Sequence, residues 1–161
     1  MPNVQLLDQA FIRDSIQQNP EHPLAQVGVV YPQHVEWGDM DALQHVNNVL
    51  YYEYAQRARI FYLEKLDLFD ETTYTVVAAS SCQYLRPVTY PDTLWIGVRA
   101  TKIGNTSLTN EYLYYSTAQN AIVATGESVL VFFDDTGTNK RIISDSEKAQ
   151  LQALDTPMTN A

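Results

Sequence analysis

Cysteine is almost missing. Cys82 stands alone among 161 residues, so no disulfide can close within the chain, and a reducing compartment fits better than a secretory one. It sits inside a β-prone run with no helix start or neighbouring histidine to activate it, which reads as an inert thiol. Basic residues are scarce too: ten Lys and Arg stand against nineteen Asp and Glu. That balance argues against general binding to nucleic acid or to an anionic membrane, both of which need clustered cations. No apolar run approaches the roughly eighteen residues of a membrane span. The N-terminus lacks the basic-then-apolar order of a secretion signal, so the expected location is the cytoplasm. There is no internal repeat and no low-complexity segment. Asn105-Thr-Ser107 matches a glycosylation sequon but reads as a hairpin turn in a chain with no such signal.

What the chain does have is one crowded polar stretch, Trp37 to Asn48, immediately before a long apolar pattern. Gly38 offers a backbone freedom closed to other residues, and Asp39 or Asp41 can turn the chain or cap a helix, so a sharp bend into a helix is expected. From about Val46 to Asp67 the polar positions Glu53, Gln56, Arg57, Glu64 and Asp67 recur at helical spacing. The remaining arc, including four tyrosines, is wide enough to imply a mostly buried helix. Glu53 and Arg57, four apart, mark its wet face.

Around this helix the sequence predicts strands. Val27 to Trp37 is the first, with Pro32 suggesting an edge or a bulge. Tyr74 to Tyr84 follows the helix. Leu94 to Ile103 alternates Leu94, Ile96, Val98 and Ala100 against Trp95, Gly97, Arg99 and Thr101, the pattern of a strand with two distinct faces. Leu108 to Thr117 and Ala121 to Phe133 complete the set. Short connections favour antiparallel neighbours, so the four late strands are expected to form a meander with the helix across its concave face. Helices are also predicted at either end: Val4 to Gln18, interrupted by Asn19-Pro-Glu-His-Pro23, and Lys148 to Leu154 behind the capping signature Ser144-Asp-Ser-Glu147. The fold class is therefore α+β. The expected division is 1–24 as N-terminal helix and linker, 25–143 as the main domain, and 144–161 as C-terminal helix and tail.

One strand, a long buried helix and a curled antiparallel sheet, with Asp39-Met-Asp41 before the helix, resembles the hotdog-fold acyl-CoA thioesterases of the 4-hydroxybenzoyl-CoA type. Further matches are His45-Val-Asn-Asn48, Tyr84-Leu-Arg-Pro-Val88, the Pro91-Asp92 turn, Lys102-Ile-Gly104 and Thr125-Gly-Glu-Ser128, so the likeness covers roughly Val27 to Ile143. The resemblance implies a homodimer joined edge to edge with active sites at its interface, and a tetramer as a further assembly. It implies that Asp41 is the catalytic carboxylate and that a backbone N–H near Asn48 polarises the thioester carbonyl. For coenzyme A it suggests Arg86, Lys102, Thr106 and Ser107 as contacts. The stretch is also similar to that of plant acyl-carrier-protein thioesterases, in which an aspartate, an asparagine and a histidine are catalytic. Asp41 and His45 match there, while the asparagine position is Leu43.

The chemistry is consistent with those assignments. Thioester hydrolysis needs an activated water or a nucleophile, and a dipole aimed at the developing oxyanion. A helix N-terminus supplies unpaired donors without a cationic side chain. Asp41 is then a general base or a nucleophile, or simply a cap; His45 orients substrate or Asp41, or is a satisfied core histidine. Asn47 is expected to bond its own backbone. Tyr51, Tyr52, Tyr54 and Tyr62 line an acyl pocket or belong to the core. Asp39, Asp41 and His45 make no compact metal-ligand set, so neither a metal nor an organic cofactor is expected. Asp134-Asp-Thr-Gly137 lacks the later glutamate of a calcium loop. The expected substrate is an acyl-CoA, with an acyl-carrier-protein thioester equally open. A hotdog hydroxyacyl dehydratase and a non-catalytic acyl-CoA-binding protein are the alternatives.

Overall fold

The computed structural model describes residues 4–66 and 73–158. Helix α1 (Val4–Gln17) leads into β1 (Val29–His34), a single 3-10 turn (Trp37–Asp39) and helix α2 (Leu50–Leu63). Strands β2 (Tyr74–Tyr84), β3 (Thr93–Ile103), β4 (Ser107–Ser116) and β5 (Ala121–Phe133) follow, and α3 (Asp145–Leu154) comes last. All five strands join one antiparallel sheet in the order β1-β3-β4-β5-β2.

That order corrects the four-strand meander. β3, β4 and β5 do run as successive hairpins, but β2 pairs with β5 at the far edge and β1 with β3. The chain between β2 and β3 is long enough to cross the sheet, and it is tied on the way: Leu85 and Arg86 both donate their N–H to the Val123 carbonyl, at 2.8 and 3.0 Å. Pro32 lies on β1, an edge strand, where a missing N–H costs no ladder bond.

The alternation in β3 separates two cores. Leu94, Ile96 and Val98 face inward and pack with Tyr51, Tyr54, Ala55, Ala58, Tyr62 and Leu63 of α2. Trp95 faces the other way, into a second cluster with Ile12 and Ile16 of α1, Leu24, Val27 and Tyr115. The N-terminal helix therefore covers the outer face of its own sheet. Met158 closes this layer, donating its N–H to the Val27 carbonyl at 3.1 Å and accepting from the Gln17 amide at 3.0 Å. Gly28 is required where the C-terminal segment crosses: a Cβ there would stand 2.0 Å from the Leu154 carbonyl oxygen.

Helix α2 is shorter than its sequence pattern. Val46 does not start it, because its N–H bonds the Val88 carbonyl at 2.8 Å and the residue bridges to Met40. The helix ends at Leu63, with Glu64 as its C-cap, and Asp67 lies outside the described residues. Nor is the whole wide arc buried: Tyr52 and Ile60 are exposed on the face shared with Glu53 and Arg57. At the C-terminal end the capping box forms as the sequence predicts, with Ser144 Oγ accepting from the Glu147 N–H and the Glu147 carboxylate from the Ser144 N–H.

Candidate active site

Between the 3-10 turn and α2 the backbone is held by side chains rather than by regular structure. Asp39 Oδ2 accepts the Tyr54 hydroxyl at 2.5 Å and the Glu36 N–H at 2.9 Å, clamping the turn onto the helix. The tight loop 41–45 then closes on itself. The Asp41 N–H donates to the His45 carbonyl, and the Gln44 N–H to the Asp41 carbonyl, both at 2.9 Å. Gln44 takes the left-handed conformation this closure needs, φ 63°. Gly38, singled out in the sequence for its freedom, does not use it: its φ is not positive, and a Cβ would meet nothing within 4 Å.

Asp41 does not cap the helix. Its Oδ1 accepts the Leu43 N–H at 2.9 Å, which leaves Oδ2 without a protein donor among the described residues. The helix start is organised instead by Asn47, whose side-chain oxygen accepts the Val49 N–H at 3.0 Å while its carbonyl accepts the Leu50 N–H at 3.0 Å. Asn47 thus does bond its own backbone. The N–H of Asn48, between these, has no protein acceptor among the described residues.

Asp41, His45, Asn48, Tyr51 and Arg86 line one cleft of about 350 Å³, with Tyr84 and Pro87 on the facing wall. Asp41 also lines a neighbouring cleft with Trp37, Met40 and Tyr90, so it borders both. Tyr51 forms the floor, packed edge-on against Tyr84 with ring centroids 5.0 Å apart and against Tyr114 at 5.6 Å. Burial, and then the nearby Cys82, Tyr84 and Asp92, push the Tyr51 phenol up to about 12. The Tyr84 phenol is raised to about 12, first by burial and then by Cys82. Both remain protonated at neutral pH, and Tyr84 donates to the Asn48 carbonyl at 2.9 Å. Cys82, half-buried in β2, is raised by burial and stays a thiol.

Lys102, Thr106 and Ser107 are not brought to this cleft. They lie at the β3–β4 turn, where the Thr106 carbonyl is occupied by the Phe132 N–H at 2.8 Å. Tyr54 and Tyr62 are core residues, each bonded to a carboxylate: Tyr54 to Asp39, and Tyr62 to Asp155 at 3.0 Å. The part played by Tyr54 and Tyr84 in fixing the two sides of the helix start had no signal in spacing alone.

The family model for the thioesterase-like superfamily matches residues 35–154, which include the cleft and its supports. The chain belongs to the thioesterase-like superfamily. A Thermus thermophilus thioesterase, solved with coenzyme A and zinc, is 31% identical, with a TM-score of 0.71 over 80% of this chain and 95% of that one. The PA5185 protein of Pseudomonas aeruginosa is 30% identical, with a TM-score of 0.73 over 83% of this chain and 95% of that one. The Bacillus subtilis protein YsmA is 40% identical over 81 residues, 49% of this chain and 55% of that protein, so the chain matches about half the length of this curated relative.

The hotdog thioesterase architecture places the start of α2 beside the segment after β2, and the cleft lies between them. Among the described residues no three His, Cys, Asp or Glu side chains are grouped to hold a metal ion. Asp39 is spent on Tyr54 and Glu36. Asp134 is spent on its own turn, where Thr136 and Asn139 hold its carboxyl near about 2. No helix among the described residues is long and apolar enough to cross a membrane.

Proposed function

We propose that this member of the superfamily hydrolyses an acyl-CoA to the free acid and coenzyme A. The observation that carries the reading is the cleft itself, lined both by Asp41, which has one carboxylate oxygen free of protein donors among the described residues, and by Asn48, whose N–H has no protein acceptor among them. A thioester carbonyl seated on the Asn48 N–H has its oxygen polarised, because the donor and the helix dipole favour the charge that grows there. Asp41 Oδ2 takes a proton from water as the hydroxyl adds to the carbonyl carbon. Collapse of the tetrahedral species breaks the C–S bond, and the protonated Asp41 returns its proton to the departing sulfur, so coenzyme A leaves as the thiol and the carboxylate is restored. In the second form of the same chemistry, Asp41 attacks directly and water then opens the mixed anhydride. Hydroxylamine trapping during turnover separates the two, since only the anhydride route leaves an acylated Asp41 to trap; ¹⁸O from water enters Asp41 only when water opens that anhydride at the Asp41 carbonyl.

His45 and Tyr51 shape the acyl side of the cleft, and Arg86 offers a cation to the coenzyme phosphates. Coenzyme A in the Thermus thermophilus structure supports this choice of thiol.

The active unit is a homodimer joined through β2. Eleven residues long, β2 pairs only with β5 among the described residues and is exposed along both of its faces, including Val76 and Val77, which point to opposite sides. A long, bare apolar edge is a template for strand pairing, and a second copy of the same edge would cover it. Tyr84 to Pro87, at the end of this strand, belong to the cleft wall, so the partner would complete the site. A panel of short, medium, long and aromatic acyl-CoAs, read by thiol release, tests the activity. Turnover with at least one class is expected. Tight binding of a nonhydrolysable analogue with no release from any of them would instead make the chain a binding protein.

A further inference from the structure

A cavity of about 470 Å³ is on the opposite side of the sheet from α2 and shares no residue with the clefts at Asp41. Its floor is two successive rungs of the ladder. Pro32, Trp95 and Tyr115 stand side by side on β1, β3 and β4, and His34, Thr93 and Thr117 form the next rung on the same face. The first rung is apolar and aromatic; the second presents hydroxyls and an imidazole. Helix α1 supplies one wall through Phe11, whose ring meets Trp95 edge-on at 6.2 Å.

The decisive residue is His22, in the linker after α1. It is 9% exposed, stacked on Trp95 at 5.8 Å and tilted against Tyr115 at 4.5 Å. Its Nδ1 accepts the Leu24 N–H at 3.1 Å, so the proton of the neutral ring must sit on Nε2. Burial lowers its pKa and keeps the ring neutral. Nε2 has no protein acceptor among the described residues and is not one of the fully buried unpartnered atoms, so this donor is open to solvent at the cavity wall. An open donor of this kind can exchange its water for an acceptor on whatever enters. Among the described residues no Asp, Glu, Lys or Arg lines the cavity. The faces of Trp95 and His22 are already stacked on each other, so they form no open cage for a cation.

We propose that this cavity is a second ligand site that takes an uncharged, flat and largely apolar molecule bearing one hydrogen-bond acceptor, directed at His22 Nε2. Its volume is in the range of small-molecule pockets, whose usual design is a largely apolar lining with a few placed polar groups; here the Ser15 and Thr117 hydroxyls already bond backbone carbonyls and the Thr93 hydroxyl meets the His34 ring. The site is separate from the thioester cleft and does not depend on it.

The two tryptophans report on the two places: Trp95 lines this cavity and Trp37 a cleft at Asp41. Benzamide, toluene, benzoate and benzyltrimethylammonium are titrated into the full chain while both indole N–H resonances are followed by NMR. Benzamide should shift Trp95 saturably and leave Trp37 in place. Toluene, which lacks the acceptor, should bind about fivefold more weakly, and the two ions more weakly still. In His22→Phe, which keeps the ring and removes the donor, benzamide should bind no better than toluene. The proposal is overturned if Trp95 shows no saturable shift up to about 10 mM probe, if only Trp37 moves, or if the charged probes match benzamide. It is also overturned if Trp95 shifts with protein concentration alone, because a second copy would then occupy the face.

Discussion

At Tyr54 a single hydroxyl ties the turn that leads into the 41–45 loop to helix α2. It bonds Asp39 from the second turn of α2, and burial first, then Asp39 itself, pushes the phenol far above its ordinary value, so it remains a donor. Tyr54→Phe deletes this charge-assisted bond and strands a half-buried carboxylate. The expected cost is about 1–2 kcal/mol, a fall in melting temperature of roughly 3–6 °C, with a larger relative loss in kcat than in KM. An unchanged melting temperature would remove the clamp. The sequence showed the carboxylates, the histidine and the asparagines of this region because they are crowded together. It did not show which group each would engage. Asp39 and Asp41 are both plausible turn residues from composition, and only a tyrosine fifteen positions away, brought round by the helix, tells them apart. Asn47 and Asn48 differ in the same way: one bonds to the backbone and the other leaves its amide open.

At the scale of elements, alternation and capping were readable because they depend on near neighbours. The two faces of β3 and the Ser144-Glu147 box follow from local spacing, and both are present. The placing of β2 beside β5 depends on a long-range choice between sheet edges, which no local period encodes. The capping box yields a signed prediction. Burial works against the Glu147 carboxylate, but hydrogen bonds from Arg141 and Ser144 outweigh it and hold its pKa below the usual value. Its contribution is therefore full above the unfolded-state pKa and is lost as pH falls through the folded one. Glu147→Gln should be less stable than the parent at neutral pH, by about 1 kcal/mol in urea melts, with the gap narrowing under acid. A gap that stays constant with pH would contradict the assignment. Ser144→Ala should cost a similar amount with a weaker pH dependence, since its hydroxyl is the smallest of the groups that hold the Glu147 pKa down.

For the whole molecule, the open edge at β2 and the cleft beside its end pose one question. If a second copy covers the strand, Val77→Lys should place a charge in the joint and convert dimer to monomer in sedimentation velocity. Turnover should fall with it, since Tyr84 to Pro87 would lose their neighbour. Dimers that persist in this variant would place the interface elsewhere. The outer face, covered by α1 and the Met158 segment, is expected to be untouched by the change.

The most direct measurement is the release of free coenzyme A by the parent chain and by Asp41→Asn, each checked for an unchanged circular dichroism spectrum and melting temperature. The substitution keeps the side-chain oxygen that receives the Leu43 N–H and removes the basic one. Turnover should drop by about 10²-fold or more while the fold and analogue binding survive. Full turnover by the folded asparagine variant would contradict the role given to Asp41.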